Sequence, residues 1–199
     1  MKALTTPPTI SPPLRPAFVE WLGLQTFDDP ALRKLAQAAQ DWWDAMKRNE
    51  TPRWLTMLGV SGTGKTHCAK RLWQLGQRRF DWHQIAYIQQ IIRWPDLIND
   101  LRQGNGYGLR DNLRSWPLLC LDELGGERDL NGFSAENLCT VLAGRENKWT
   151  IITSNKEFAE LHKLDARISS RLVRGQNICV EVKTQDYWTR PEVNAQKPK

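Results

Sequence analysis

The residues best suited to chemistry form the loop GVSGTGKT at positions 59–66, which matches the spacing G-x-x-x-x-G-K-[ST] in full. Its three glycines permit the sharp turns that aim backbone N–H groups inward, where they bind phosphate oxygens. An apolar run precedes the loop and a helical pattern follows it, so the positive end of a helix adds to the attraction. We expect Lys65 to reach the β- and γ-phosphates of ATP and the hydroxyl of Thr66 to contact Mg²⁺.

A second reactive group follows the apolar run LLCL at 118–121, which is succeeded directly by Asp122 and Glu123. A buried strand beside the phosphate-loop strand would carry both carboxylates to the edge of the sheet where ligands bind. Asp122 is then placed to hold Mg²⁺, and Glu123 to polarise a water molecule in line with the γ-phosphate. A water-activating carboxylate, without a recognisable arginine-bearing lid, favours ATP hydrolysis over phosphoryl transfer to a metabolite.

A third polar group, Thr153-Ser154-Asn155, ends another apolar run. A side chain at that place can hydrogen-bond the attacking water or the γ-phosphate. Serine and asparagine also suit a helix cap there. Taken alone, these residues favour the helix cap.

The elements that must position these groups alternate along the chain, after a first helix that begins at Asp29-Pro30. Strands are predicted at 53–58, 85–89, 117–122, 149–155 and 177–182, and helices at 64–79, 95–102, 134–146 and 165–173. This alternation predicts a three-layer α/β P-loop NTPase with a mostly parallel, five-stranded sheet.

The predicted domain organisation has three parts, which are a flexible, proline-rich N-terminal arm (1–28), an ATPase domain (29–188) and a flexible C-terminal tail (189–199). Five of the eleven prolines lie within the first 16 residues, which disfavours a helix or a central strand there. The apolar stretch FVEWLGL at 18–24 is expected to dock either on the domain or on a partner. The sequence after the last strand leaves room for a truncated helical lid or for none.

The composition suggests a polyanionic partner, because the net charge is +6 and several of the ten tryptophans lie near arginines. Aromatic and guanidinium surfaces together stack single-stranded bases, although core packing is the alternative for any one tryptophan. The candidate contacts between residues 91 and 116 are Arg93, Trp94, Arg102, Tyr107, Arg110, Arg114 and Trp116. The four cysteines lack the spacing of a metal site, and no apolar run reaches the length of a membrane span, which favours a cytoplasmic protein.

Four ordered stretches, GVSGTGKTH, LLCLDELG, TIITSN and DARISSRL, resemble the motifs of AAA+ ATPases of the DnaC/IstB type. That family comprises bacterial and phage helicase loaders and transposition ATPases, and the resemblance spans about residues 25–188. It implies an AAA+ core with ATP and Mg²⁺ as cofactors. The positions that match its nucleotide-binding motif are Gly59, Val60, Ser61, Gly62, Thr63, Gly64, Lys65, Thr66 and His67, and those that match its metal-holding pair are Thr66 and Asp122.

The same resemblance implies further roles. Glu123 activates water, Asn155 senses the γ-phosphate, and Arg171 reaches into the ATP site of a neighbouring subunit. Arg167 lies one helical turn earlier and is expected to assist, and Arg145 is a further candidate for that interface. If a neighbour supplies the guanidinium, hydrolysis requires self-association through a shared ATP site.

We therefore expect an ATP-hydrolysing helicase loader, or replication accessory ATPase, that assembles on ATP and contacts single-stranded DNA and a replicative helicase. One alternative is a transposition ATPase of the IstB type that binds duplex DNA and a transposase. Another is an adaptor that binds nucleotide without hydrolysing it. Loaders of this kind usually carry a larger N-terminal domain, so here the short arm or another surface must dock the helicase.

Overall fold

The computed structural model describes residues 12–24, 29–80, 91–127, 129 and 131–190. The strands are β1 (Trp54–Leu58), β2 (Ile92–Arg93), β3 (Leu118–Leu124), β4 (Trp149–Ser154) and β5 (Ile178–Glu181). The helices are α1 (Pro16–Leu22), α2 (Pro30–Lys47), α3 (Lys65–Gln77), α4 (Trp94–Arg102), α5 (Tyr107–Leu113), α6 (Phe133–Ala143), α7 (Phe158–Leu164) and α8 (Ala166–Leu172). A short 3₁₀ turn spans Tyr187–Thr189.

The strands form one parallel sheet in the order β2-β3-β4-β1-β5. This confirms the predicted α/β fold with a five-stranded sheet. The predicted neighbours were wrong in one place, because β4 lies between the phosphate-loop strand β1 and the carboxylate strand β3. Since the paired strands all run in the same direction, their carboxyl ends still meet at one edge of the sheet.

Two apolar clusters cover the two faces of this sheet and make the fold three layers thick. One cluster joins α1, α2 and α3 to strand residues such as Leu55 and Met57. The other joins α4, α6 and α8 to residues such as Trp54 and Leu58. Successive residues of a strand face opposite sides of the sheet. Because both sides are covered, β1 is buried along its whole length, as its nearly continuous apolar run predicts.

The N-terminal segment differs from the prediction of a flexible arm over 1–28. Residues 16–22 form helix α1, whose apolar face is buried in the first cluster. Pro16 is tolerated because it occupies the first helical turn, where an N–H has no intrahelical partner. The backbone N–H of Arg15 donates to the side chain of Gln40 at 2.8 Å. The FVEWLGL stretch therefore docks on the chain's own domain.

Other boundaries also differ from the predictions. The strand predicted at 85–89 lies outside the described residues. The described edge strand that pairs with β3 is β2, Ile92–Arg93. Helix α5 was not predicted, and it begins after Gly106, whose φ of +79° glycine adopts readily. Arg190 falls in the predicted tail, yet it is buried and pairs with Asp29 at 3.0 Å. No helix of the described residues is long and apolar enough to cross a membrane.

The interface role suggested for Arg145 is wrong, because its side chain is fully buried within its own domain. Its guanidinium donates to the carbonyls of Leu113 at 3.0 Å, of Trp149 at 2.6 Å and, more closely, of Trp116. Burial lowers its pKa to about 9. Arg145 thus ties α5, the loop after it and β4 together from inside.

Candidate nucleotide-binding site

The phosphate loop lies between the carboxyl end of β1 and the start of α3, as predicted. Gly59 has a φ of +123°, and a Cβ there would overlap the carbonyl of Val182. Gly62 has a φ of +74°, and a Cβ there would overlap the carboxylate of Asp186. Glycine is therefore required at both positions by conformation and by the close approach of the chain after β5.

Lys65 is held inside the loop, with its side chain almost completely buried. Its Nζ donates to the carbonyl of Gly59 at 2.7 Å, to the carbonyl of Val60 and to the hydroxyl of Thr63 at 3.2 Å. Burial lowers its pKa to about 8, and the charge of Asp122 opposes that shift in part. Because its hydrogen-bond partners are neutral, an anionic phosphate would be a stronger partner for this ammonium group.

Asp122 joins three elements at the carboxyl edge of the sheet. Its Oδ1 accepts a hydrogen bond of 2.9 Å from the hydroxyl of Thr66, at the start of α3. The same oxygen accepts a hydrogen bond from the hydroxyl of Thr153, near the end of β4. Asp122 is itself buried, so these two hydroxyls fix the carboxylate beside the phosphate loop.

Glu123 departs from regular strand geometry in a way that directs its side chain. Its φ is +61°, and the β3–β4 register shifts between Leu121 and Leu124, as in a β-bulge. Bulges and strained backbone at functional sites commonly re-aim a side chain. The backbone N–H of Glu123 donates to Thr153 Oγ1 at 3.1 Å, which anchors the bulge. The side chain is thereby carried into the pocket above the loop.

Arg93 is an unpredicted neighbour of that carboxylate. It ends β2, and its guanidinium donates to Glu123 Oε2 at 2.6 Å and contacts Asp96 at 3.1 Å. This contact engages one oxygen of the carboxylate and restrains the side chain that is predicted to activate water. Replacement of Arg93 would therefore disturb Glu123 as well as any contact with DNA.

A pocket of about 470 Å³ gathers most of the predicted nucleotide-binding residues. Its lining includes the loop from Ser61 to His67, together with Glu123 and Asn155, which is exposed just after β4. Gly59, Val60 and Asp122 do not line it. Gly59 and Val60 give their carbonyls to Lys65, and Asp122 acts through Thr66. His67 lines the pocket, and its Nε2 lies 2.8 Å from the carbonyl of Leu22.

One wall of this pocket was missed by sequence reasoning. It is formed by Leu24, Leu32, Tyr187 and Arg190, which come from both ends of the described chain. An apolar and aromatic wall beside a phosphate site suits a flat base. No short motif marks these residues, because they converge only through the packing of α1, α2 and the segment after β5.

The donor set fits a magnesium nucleotide. Mg²⁺ prefers oxygen ligands and is usually held by one or two protein oxygens together with substrate phosphates. The Thr66 hydroxyl and the Asp122 carboxylate supply such oxygens side by side. Among the described residues there is no cluster of three histidine, cysteine or acidic side chains of the kind that would hold a metal without a nucleotide.

Arg171 and Arg167 lie away from this pocket. Arg171 lines a second cavity together with Thr51 and Trp54, at the amino edge of the sheet, whereas the phosphate loop follows the carboxyl end of β1. Arg167 is exposed and pairs with Asp165 at 2.6 Å. Neither arginine lines the pocket that contains the phosphate loop of its own chain.

The proposed DNA contacts divide into buried and exposed groups. Trp94 and Trp116 are buried in the second apolar cluster, so packing accounts for both. Arg110 bonds Asn137 at 2.9 Å and lies over the ring of Tyr107. Of the candidate contacts, Arg93, Arg102, Tyr107 and Arg114 are exposed, and Arg93 is paired with Glu123 and Asp96.

Replacing Thr153 with valine should reduce ATP hydrolysis by at least about tenfold while ATP binding changes little. The substitution keeps the shape but removes the hydroxyl that holds Asp122 and leaves the N–H of Glu123 without its acceptor, a loss of about 1–3 kcal/mol. Steady-state ATPase assays and nucleotide titration would measure the two effects. Thr56→Val is the matched control, because Thr56 is fully buried on β1 and its hydroxyl has no partner among the described residues. Equal activity of the two variants would contradict the role assigned to Thr153.

ATP affinity should fall by about tenfold between pH 7 and pH 9. The pKa of Lys65 is about 8, so its amine is mostly charged at pH 7 and mostly neutral at pH 9. Phosphate binding favours the charged form, so binding at pH 9 should take up close to one proton. Calorimetry in two buffers of different ionisation enthalpy would count that proton. Binding that is independent of pH and takes up no proton would show that Lys65 is charged throughout.

The comparisons with known proteins agree with this geometry. A sequence profile of the family described as "Bacterial DnaA ATPase domain" matches residues 25–179. The chromosomal replication initiator DnaA of Brucella suis is 26% identical over 202 residues, which cover 96% of this chain and 38% of that protein. The DnaA of Deinococcus radiodurans is 28% identical over 141 residues, covering 68% of this chain and 29% of that protein. The chain thus spans well under half the length of these curated relatives.

Solved structures share the fold. The crystal structure of DnaI has a TM-score of 0.63 at 22% identity, over 84% of this chain and 92% of that one. The DnaC helicase loader has a TM-score of 0.63 at 20% identity, over 85% of this chain and all of that one. DnaA bound to AMPPCP and single-stranded DNA has a TM-score of 0.61 at 18% identity, over 86% of this chain and 51% of that one. These neighbours confirm the fold implied by the resemblance to DnaC-type AAA+ ATPases, and the profile match over most of the chain shows that it belongs to the family of the bacterial DnaA ATPase domain.

Proposed function

We propose that this chain is a cytoplasmic, ATP-hydrolysing accessory protein of DNA replication, of the helicase-loader type, that hydrolyses ATP at a site shared between two copies. The main support for the proposal is that the residues proposed to act in hydrolysis lie at two separate edges of the sheet. The phosphate loop, Asp122 and Glu123 meet at the carboxyl edge of the sheet, while Arg171 lies at the amino edge.

The residues of one chain would divide the work at the phosphate groups. The loop N–H groups and Lys65 bind and orient the triphosphate, and Thr66 and Asp122 hold Mg²⁺, which supplies charge neutralisation when bound. Glu123, whose Oε2 is held by Arg93, accepts the proton of the attacking water. Asn155 orients the water or the γ-phosphate from the end of β4.

A second copy would supply the missing positive charge. Arg171 is half-buried and forms no ion pair with a carboxylate among the described residues. A guanidinium at the γ-phosphate stabilises the charge that develops during transfer, an effect of about 10³–10⁵ in rate for GTPases. Hydrolysis would then occur only when copies have assembled. Arg167, which pairs with Asp165, would assist from the same helix.

Mixing two inactive variants should restore ATPase activity. Arg171→Ala should bind ATP as the isolated chain does but fail to hydrolyse it, and Glu123→Gln should fail for lack of a base. In a mixture, an intact Glu123 site on one variant meets an intact Arg171 on the other, so activity should recover to about a quarter of wild type at equal amounts. This fraction is a statistical estimate for random pairing across a head-to-tail contact.

No recovery at any mixing ratio would contradict the shared site. Wild-type protein that binds ATP but never hydrolyses it, even when assembled on DNA, would instead favour a nucleotide-dependent adaptor.

The proposed partners are single-stranded DNA and a replicative helicase. Support comes from the fold shared with the DnaC and DnaI structures, from the family match and from the positive net charge. The exposed residues of α4, α5 and the turn after α5 are the proposed DNA surface. The chain's four cysteines are all free thiols, as expected in a reducing cytoplasm.

Replacing Tyr107 and Arg114 with alanine should weaken binding to single-stranded DNA by about tenfold or more. The loss of base stacking accounts for part of the weaker binding. The loss of one phosphate contact should also reduce the slope of log affinity against log salt concentration by about one. Fluorescence anisotropy over a range of salt would measure both. Arg78→Ala, an exposed arginine at the far end of α3, is the control. Unchanged affinity and salt slope would remove this surface from the proposal, and a preference for duplex DNA would favour the transposition-type alternative.

A further inference from the structure

Helix α1 depends on the rest of the chain for its stability. It has seven residues, and isolated helices shorter than about 12–15 residues are marginal in water. Its first half is secured by Phe18 and Val19, which are buried in the first apolar cluster. Arg15, the residue before the helix, also pairs with Asp44 of α2 at 2.8 Å. The carboxyl end of α1 lies instead beside α3 and the phosphate loop, so its stability depends on contacts made there.

Two side chains of α3 hold the carboxyl end of α1. The last carbonyls of a helix have no partner within the helix, and a carbonyl can only accept a hydrogen bond. Nε2 of His67 donates to the carbonyl of Leu22 at 2.8 Å. The guanidinium of Arg71 donates to the carbonyl of Trp21 at 2.7 Å and lies 5.3 Å from the centre of the Trp21 ring. Because His67 and Arg71 are four residues apart, one face of α3 makes both contacts.

The residues that follow this contact form part of the nucleotide pocket. Gly23 ends α1 with a φ of +69°, and a Cβ there would lie 3.1 Å from Nε2 of His67. Leu24 is buried, and its Cδ2 lies 3.1 Å from the position that a Cβ would take on Gly64 of the phosphate loop. Gly23 and Leu24 line the pocket, whereas Arg71 does not. Part of the pocket wall is therefore held in place by a residue outside the pocket.

We propose that His67 and Arg71 are positioning residues that fix the carboxyl end of α1 and thereby place Leu24 against the bound nucleotide, so that docking of α1 and binding of ATP favour each other. The inference rests on the proposed function only in taking ATP as the ligand of the pocket. A nucleotide contacts Leu24 only when α1 is docked, so ATP stabilises the docked helix. By linkage, loss of docking weakens ATP binding by the same factor.

The test compares Arg71→Ala with wild type in the full chain, using two ligands measured by calorimetry. Affinity for ATP should fall by about fivefold or more, which is the lower end of coupling between two sites. Affinity for inorganic tripolyphosphate should stay the same, because this ligand has no base or sugar to meet Leu24. Lys70→Ala is the matched control, since Lys70 is an exposed cation on the same helix, and it should change neither affinity. His67→Gln, whose amide can donate to the same carbonyl, should bind ATP more tightly than His67→Ala.

Hydrogen exchange of the α1 amides measures docking itself. A non-hydrolysable ATP analogue should slow this exchange in wild type, and tripolyphosphate should slow it less. Without ligand, the exchange should be faster in Arg71→Ala than in Lys70→Ala. Adding Arg71→Ala to Leu24→Ala should cost little further ATP affinity, because Arg71 acts through Leu24.

The outcomes separate this inference from the proposed function. Unchanged ATP affinity in Arg71→Ala, or an equal loss for ATP and tripolyphosphate, would overturn the inference. So would exchange in α1 that does not respond to the ATP analogue, or losses from Leu24→Ala and Arg71→Ala that simply add. If Leu24→Ala does not fold, the two ligands compared on Arg71→Ala decide alone. These measurements need neither Arg171 nor a second copy, so failure of the mixing experiment would leave the inference standing. Wild-type protein that binds no ATP would overturn both.

Discussion

The site depends on one carboxylate oxygen. Asp122 Oδ1 accepts hydrogen bonds from Thr66 and from Thr153, and through them it links the start of α3, the bulge of β3 and the end of β4. Thr153 in turn accepts the backbone N–H of Glu123, so the direction of that side chain follows from the same contact. The phosphate loop, the oxygens proposed to bind Mg²⁺ and the carboxylate proposed to activate water therefore form one connected unit, in which a disturbance at any one position reaches the others.

The parallel sheet gives the molecule a polarity that matters for function. Its carboxyl edge collects oxygen ligands and the phosphate loop, and its amino edge collects arginines. In the proposed mechanism hydrolysis needs groups from both edges, yet the length of a strand separates them within one chain. A head-to-tail contact between copies brings the two edges together, and such contacts extend into rings or helical assemblies. In this account ATP lies at the contact between neighbouring copies, and its hydrolysis weakens that contact.

Much of the fold and of the phosphate-binding site could be predicted from the sequence. The phosphate loop has a fixed spacing, and strands buried on both faces read as unbroken apolar runs. The local sequence pattern does not determine the order of strands across a sheet, which is why β4 was not expected between β1 and β3. The prolines near the N-terminus concealed α1, because Pro16 suits the first turn of a helix as well as it suits an extended segment.

The surroundings of individual arginines and tryptophans were the hardest feature to predict. Arg145 follows helix α6 and Arg171 lies within helix α8, yet Arg145 is fully buried among carbonyls whereas Arg171 lines a cavity. Trp94 and Trp116 have arginine neighbours in sequence but face the core. The pairing of Arg93 with Glu123, and the presence of Arg53 beside Arg171, arise from contacts between distant segments and leave no local signal.

The central claim is that one chain alone cannot hydrolyse ATP efficiently, and the concentration dependence of the specific ATPase activity tests it most directly. Activity per chain at saturating ATP should be negligible at dilutions where sedimentation shows a monomer, and should rise steeply as copies associate. A specific activity that stays constant from the monomer to the assembled state would contradict the account.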